Sequence, residues 1–370
     1  MLKKGTVLNA LAFCGLAAYL GLAAVSFFTF VEPSLNGTNG WRVYADSQVY
    51  MDVADTMRDQ KAGEAAVALI SIARNVILPA FVALTLKTVG NIAVFNILVF
   101  LCCLGVLAQT FSSFKWYIFL PILLASPTTY EALLTLNKEI FVFACAVAMA
   151  RWFIKRSAVS MVCIIVLSMI LRWEQALVIL CFLLLLWLRV LPKRAAAVLI
   201  IGISAAYPFA MASVDVGADV RESSSSAFFA QINVLQSYGL YFALLVPKMI
   251  IALLSQVARF WTPFVDTERL HDLPTGPFVL VDQLCMCVVT IISWRRRLWV
   301  AENPVVYFIM VYCLIFFAAP ENSPRYLYML FVLMAAVLSS PELQSLRIPW
   351  QASASPNRKD LTLSGTFAKS

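Results

Sequence analysis

Long apolar runs and short polar breaks alternate along almost the whole chain. The runs are mostly roughly 15 to 23 residues long, and a helix needs about 20 residues to cross the ~30 Å hydrocarbon core of a bilayer. A transmembrane barrel would instead show alternating segments of about ten residues, a pattern this chain lacks. The periodicity therefore predicts an all-α, polytopic membrane protein. Its breaks are of two kinds. Lys3-Lys4, Arg151 with Lys155-Arg156, Lys193-Arg194 and Arg295-Arg296-Arg297 are basic clusters. Ala45-Asp46-Ser47, Asn137-Lys138-Glu139, Arg172-Trp173-Glu174 and Pro324-Arg325-Tyr326 are small charged islands of mixed character.

The basic clusters set the topology, because cytoplasmic loops carry the excess of Lys and Arg. If residues 65–86 crossed the membrane, the cluster from Arg151 to Arg156 would fall outside. That run holds Arg74-Asn75 and Pro79 and is closed by Lys87, so it is assigned to an interfacial or re-entrant helix. Residues 240–254 raise the same problem for the arginine triplet. Pro247-Lys248 interrupts them, and they join a second outer segment. What remains is about ten spans: residues 8–30, 90–110, 116–134, 140–154, 158–171, 175–191, 196–213, 277–294, 303–319 and 326–340. A large outer loop covers 31–89 and the second outer segment covers 214–275. Crossing by both demoted runs, for about twelve spans, is the alternative.

Residues 1–340 then form one membrane-embedded domain with cytoplasmic termini, and the polar stretch 341–370, with Pro356-Asn357, reads as a disordered tail. The first run, 7–30, is long for a signal peptide and ends in Val31-Glu32-Pro33 without a small-residue cleavage pattern, so it reads as an uncleaved helix.

Composition agrees with this layout. Of 370 residues, 62% are hydrophobic and 13% charged, and the mean hydropathy is +0.85. A net charge of +8 would suit nucleic acid if it formed a continuous patch, but it is parcelled between apolar runs, the positive-inside signature. The nine cysteines lie mostly inside the runs and His271 is the sole histidine. They read as small buried hydrophobes, not as a metal site. No Walker loop, dinucleotide fingerprint, heme motif or zinc spacing occurs.

The topology places all four islands on the outer face, although only the basic clusters were used to set it. Each has a plain structural reading. Asp46 or Ser47 could cap an amphipathic helix over 46–59, in which Val49, Tyr50, Val53, Ala54 and Met57 recur at helical spacing. Asn137 could cap the following span, with Glu139 favourable in its first turn, although Lys138 gains nothing from that dipole. Arg172 and Glu174 could form an interfacial ion pair with Trp173 as an anchor. Arg325 opens a helix at its N-terminus, where a cation is unfavourable unless it snorkels or an anion is bound. A phosphate held by backbone N–H groups would be such an anion.

Taken together, these islands resemble the GT-C superfamily of polytopic glycosyltransferases, which use lipid-phosphate-linked sugars at the outer membrane face. The likeness lies in Asp46-Ser47-Gln48-Val49-Tyr50 of the first outer loop, Glu139 opening a later helix, Arg172-Trp173-Glu174 at a later outer turn, and Arg325-Tyr326 starting a late helix. It covers the layout of residues 1–340. The chain departs from the family in having Asp46-Ser47 for the common Asp-Glu pair, Lys138-Glu139 for a lone Asp, and no large soluble domain after the last helix.

The resemblance implies transfer of a sugar from a polyprenyl-phosphate donor to a glycan or lipid-glycan acceptor, in a bacterial inner membrane. Asp46 and Glu139 would be the catalytic acids, with Asp46 as general base. Arg325, Lys138 and Arg172 would hold the donor phosphate, and Tyr50, Glu174 and Tyr326 would support them. A divalent metal is compatible with the residues but not required, and the partners implied are lipids and glycans, not nucleic acid. Two rivals stay open. An oligosaccharide repeat-unit polymerase would draw on Arg221 and Arg259, and a lipid-sugar flippase or transporter would show an inverted repeat of broken helices.

Overall fold

The structure, a computed structural model, describes residues 4–35, 50–55, 77–86, 89–213, 235, 238, 240, 243–245, 247, 275–318 and 324–348. Among these there are helices and turns but no strand. We number the helices α1 (Lys4–Ser26, continued by a π-helical turn Phe27–Val31 and by Glu32–Leu35), α2 (Ile77–Leu86), α3 (Val89–Thr110), α4 (Trp116–Ala125), α5 (Pro127–Leu134), α6 (Glu139–Lys155) and α7 (Ala158–Leu171). Then follow α8 (Trp173–Trp187), α9 (Pro192–Ser213), α10 (Thr275–Arg295), α11 (Pro304–Phe316), α12 (Tyr328–Ser339, after a 3-10 turn Pro324–Leu327) and α13 (Pro341–Ser345).

Local chemistry sets many of the boundaries. Ser157 caps α7 by accepting from the Ser160 N–H at 3.3 Å, and Asn303 caps α11 through the Val305 N–H at 2.8 Å, with Pro304 at the first helical position. Helix α6 carries Glu139 in its first turn and Lys155 in its last, matching both ends of its dipole.

Helices α6 and α12 form the centre. Every residue of α12 is buried, and α6 packs on α3, α5, α7, α12 and α13. Around them, α1 lies on α4, α11 on α8 and α9, and α10 on α4, α5 and α12. The peripheral helices are apolar on their outer faces as well. Val159, Val162, Val166 and Met169 of α7 are exposed, as are Leu177, Leu180 and Leu184 of α8 and Val281, Leu284, Val288 and Ile291 of α10. These sets recur at three- and four-residue spacing, so each helix turns a continuous apolar stripe outward. Such stripes are the mark of a helix that is hydrophobic all round and meets lipid or another apolar surface.

The two ends of the bundle differ. At one end, the Lys115 N–H donates to the Ser339 carbonyl at 2.9 Å and the Ile348 N–H to the Glu302 carbonyl at 2.8 Å. The Tyr307 hydroxyl donates to the Val190 carbonyl at 3.1 Å there. Lys115, Arg156, Arg189, Arg296 and Arg297 lie in the turns of this end, and Lys155, Lys193, Arg194 and Arg295 in the helix ends that adjoin them. Arg156, Arg189 and Arg297, each just past the end of a helix, have φ of 52°, 53° and 53°, a left-handed conformation that costs an L-residue about 1–2 kcal/mol. Arg156 recovers part of this by lying 4.7 Å over the Trp152 ring.

Glu342 ties the same end together. Its carboxylate accepts from Ser112 Oγ and the Ser113 N–H, both at 3.0 Å, and from Ser340 Oγ at 2.8 Å. Burial alone would raise this carboxyl, but hydrogen bonds from its own backbone N–H, Ser340, Ser113 and Ser112 outweigh it and hold the group below its ordinary value of 4.5. A depressed folded-state value contributes stability above 4.5 that is lost as pH falls below it. The melting temperature of the detergent-solubilised protein should therefore drop as pH is lowered through that region, and Glu342→Gln should flatten this part of the profile. An unchanged profile in the variant would remove Glu342 from the clamp.

Several expectations need correction. The run 116–134 is not one straight crossing: α4 and α5 meet at an angle of 77°. Pro127 opens α5, and Ser126 before it is extended, at φ −78° and ψ 120°, because a residue preceding proline is driven out of the helical region. Pro121, by contrast, sits inside α4. The chain also does not become a tail at 341. Ser340 caps α13 by accepting from the Leu343 N–H at 3.2 Å, and Leu343 and Ile348 are completely buried. Among the described residues two helices, Gly5–Val31 and Asn91–Thr110, are long and apolar enough to cross a membrane, and the α4–α5 pair makes three if it counts as one span. That is fewer than the expected ten or so, because Ala158–Leu171, Glu174–Trp187, Pro304–Phe316 and Tyr328–Ser339 are shorter apolar helices. At 1.5 Å per residue, about 14 residues reach roughly 20 Å. Residues 56–76, most of the segment 214–274, and 349–370 lie outside the described residues.

Candidate functional site

Two polar constellations lie away from the basic end. The first is built on the turn between α7 and α8. Arg172 closes one helix and opens the next in an extended conformation, φ −156° and ψ 101°. Its N–H donates to the Ser168 carbonyl at 2.7 Å and its own carbonyl accepts from the Gln175 N–H at 2.9 Å. The turn leaves the side chain inward, where Nη2 donates to Glu139 Oε1 at 3.0 Å. Glu139 is 1% exposed and Arg172 7%, so both charges are out of water and each needs the other. The Arg172 guanidinium also lies 4.6 Å from the centre of the Tyr326 ring, and Tyr326 is fixed by its carbonyl accepting from the Tyr312 hydroxyl at 2.8 Å.

This pair is incompletely satisfied. Glu139 Oε2, Arg172 Nη1 and the nearby Gln175 Oε1 are buried without hydrogen-bond partners. Buried polar atoms are seldom left so, and the open valences suit a polar molecule placed between α6, α8 and α12. Next to them, Lys138 Nζ lies 5.8 Å from the centre of the Tyr50 ring, within cation–π range. Tyr50 is buried.

The second constellation is made by the α4–α5 break. Breaking the helix exposes N–H groups at the start of α5 that have no partner within it. Asp282, from α10, supplies acceptors: Oδ1 receives Ser126 Oγ at 2.5 Å and the Thr128 N–H at 3.2 Å, and Oδ2 receives the Thr128 hydroxyl. Beside it, Thr129 and Tyr328 share a hydrogen bond of 2.8 Å, and Cys285 Sγ donates to the Ala125 carbonyl at 3.4 Å. The constellations adjoin through Tyr326, which lies 4.6 Å from the Arg172 guanidinium and lines the same cavity as Asp282.

A groove of about 360 Å³ starts at Asp282, Ser126, Thr128 and Tyr326. It runs between α10 and α11 over α12, along Met286, Ile291, Cys313, Phe316, Phe331 and Met334 among others. Nearly all of its wall is apolar; Asp282, Ser126, Thr128 and Tyr328 gather at one end, and Thr290 further along donates its hydroxyl to the Met286 carbonyl at 2.7 Å. From Asp282 to Ile291 it follows α10 for about 14 Å at 1.5 Å per residue.

The structure thus brings Glu139, Arg172 and Tyr326 together and sets Lys138 and Tyr50 beside each other. Arg172 pairs with Glu139, 33 residues away in sequence, and not with Glu174 as its spacing suggested. Glu174 is half-buried in the first turn of α8. Asn137 does not cap α6 in the usual way: its Oδ1 accepts from the Lys138 N–H at 2.8 Å, while Lys138 occupies the capping position and makes no side-chain capping hydrogen bond. Asp46 lies outside the described residues, as do Arg221 and Arg259, and the Arg325 side chain does too, although its backbone belongs to the Pro324–Leu327 turn.

Asp282 was missed from sequence. The signal was present, since a lone carboxylate stands well inside the run 277–294, and an ionisable residue within an apolar span marks a functional position by default. What could not be read was its partner, Ser126, 156 residues away. Among the described residues no three His, Cys, Asp or Glu side chains gather in a way that could hold a metal ion. Comparison with protein-family models, curated proteins and solved structures finds no match to this chain.

Proposed function

We propose that this protein is a multi-pass membrane enzyme, with about ten crossings, that transfers a sugar from a polyprenyl-phosphate-linked donor to an acceptor hydroxyl at the outer face of a bacterial inner membrane. The observation that carries the reading is the groove: an apolar channel on an apolar-faced bundle, polar at one end, with a buried cation and open hydrogen-bonding atoms adjoining that end. The groove has the polarity profile of a lipid substrate with a polar head, and the buried cation beside it that of a phosphate site. The resemblance of the sequence around Asp46, Glu139, Arg172 and Arg325 to the GT-C glycosyltransferases supports the reaction class.

In this reading the acceptor oxygen attacks the anomeric carbon while Asp46 takes its proton. The bond from that carbon to the phosphate oxygen breaks, and the electron pair leaves with the polyprenyl phosphate. Arg325, Lys138 and Arg172 hold that anion, Arg172 through Nη1. Glu139, first read as a second catalytic acid, acts here by orienting Arg172. Tyr326 stacks on the guanidinium, Tyr50 lies against Lys138, and Glu174 begins the neighbouring helix.

The test is a transfer assay with purified protein, a polyprenyl-phosphate sugar and candidate acceptors, followed by sizing of the product. A single added sugar is expected; a ladder would replace the reading with a polymerase, and transport into liposomes without covalent product with a flippase. Arg325→Ala should weaken donor binding by about tenfold or more, the loss of a charge-assisted contact. Unchanged donor affinity would make Arg325 a snorkelling anchor.

A further inference from the structure

We infer that the groove between α10 and α11 binds a lipid whose head presents a neutral hydroxyl to Asp282, so that the acceptor of the proposed reaction is itself a lipid. The word acceptor rests on the transferase reading; the chemistry of the ligand does not. Two features of the groove select it. Most of its length is apolar, from Met286 through Phe331 to Met334, the Thr290 hydroxyl along it being turned onto the Met286 carbonyl, and its carboxylate stands at one end, so a wholly water-soluble glycan would leave most of it unfilled. At that end, every hydrogen bond of Asp282 is one that it accepts, from Ser126, from the Thr128 hydroxyl and from the Thr128 N–H. Such a carboxylate offers its remaining lone pairs to a donor.

A phosphate oxygen placed there would set acceptor against acceptor, whereas a sugar or alcohol hydroxyl is the matching group. Among the described residues the cations of the site stand elsewhere: Arg172 lies between Glu139 and Tyr326, Lys138 lies against Tyr50, and neither lines the groove. The two constellations thereby divide the work. The cationic one takes a phosphate-bearing head and the Asp282 one takes a hydroxyl-bearing head, and Tyr326, which lines the groove with Asp282 and lies against the Arg172 guanidinium, joins the two.

Photo-crosslinking of the full-length protein in detergent tests this without any transfer reaction. The probes are a long-chain alkyl glucoside and the alkyl phosphate of equal chain length, each with a diazirine in the chain. The alkyl glucoside should label the segments carrying Met286 and Met334, be displaced by unlabelled alkyl glucoside, and bind about tenfold less tightly to Asp282→Asn, in which a charge-assisted hydrogen bond becomes a neutral one. Met334→Trp should abolish this labelling by filling the groove. Labelling of the groove by the alkyl phosphate at equal or higher affinity, absence of groove labelling by the glucoside, or unchanged glucoside affinity in Asp282→Asn would each overturn the inference. The comparison of the two probes on the native protein decides it even if that variant does not fold. Sugar transfer to the bound alkyl glucoside is then measured separately: intact groove binding with no transfer would overturn the enzyme reading and leave the ligand assignment standing.

Discussion

Exchanging Arg172 for methionine should destabilise the protein by about 3–5 kcal/mol, the cost of leaving a buried charge without its partner. Glu139 is 1% exposed and already has one oxygen without a hydrogen bond; removing Arg172 strips the other. No water reaches the carboxylate to replace what is lost. The effect should appear as a large fall in the melting temperature of the detergent-solubilised protein. Glu139→Leu alone should be costly for the mirror-image reason, since it strands the guanidinium. Combining Arg172→Met with Glu139→Leu should restore most of the stability, because a buried ion pair replaced on both sides by apolar groups is often neutral or better. If Arg172→Met alone melted like the native protein, the pair would have to be reached by solvent. Were the double variant stable yet inactive, the pair would be retained for donor binding and not for folding.

The second large effect is catalytic. Asp46→Asn should reduce sugar transfer by about 10²–10⁴-fold, the usual contribution of a positioned general base, while donor binding and elution as a folded monodisperse species stay unchanged. Asparagine keeps the shape of aspartate but cannot take the acceptor proton. Tyr50, four residues further along the chain, is buried and lies against Lys138 at the start of α6, beside the constellation that carries Arg172. Near-normal transfer by Asp46→Asn would remove this residue from the role and make Asp282 the carboxylate to examine next.

Much of the helical layout was legible residue by residue. The expected spans 140–154 and 158–171 became α6 at Glu139–Lys155 and α7 at Ala158–Leu171, because apolar runs that end in charged or proline-containing breaks leave little choice of boundary. The run 116–134 was misjudged although it contained the reason. Pro127 was visible, but its hydropathy is continuous across the break, and hydropathy does not report that Ser126 must turn extended. The stretch after 340 reads as a disordered tail from its average polarity, whereas Leu343 and Ile348 are fully buried and dock residues 341–348.

The candidate site was legible in part. Charged islands in an apolar chain are few, so Lys138, Glu139, Arg172 and Tyr326 could be named from sequence alone. Their partners could not be, since local spacing favoured Arg172 with Glu174, and only the packing of α6 against α7 and α8 brings Glu139 closer.

By itself the sequence determined that this chain forms apolar helices, where most of them start and stop, and that its basic clusters belong at one end. These follow from terms that are local and additive: the transfer of apolar side chains, the charge of short turns, and the missing N–H and fixed geometry of proline. The tertiary structure alone decided which buried charge meets which, that Asp282 closes the broken helix at Ser126 and Thr128, and that α10 and α11 stand apart over α12 to leave a groove. Those depend on contacts between residues as much as 156 positions apart, whose energies exist only once the helices have packed.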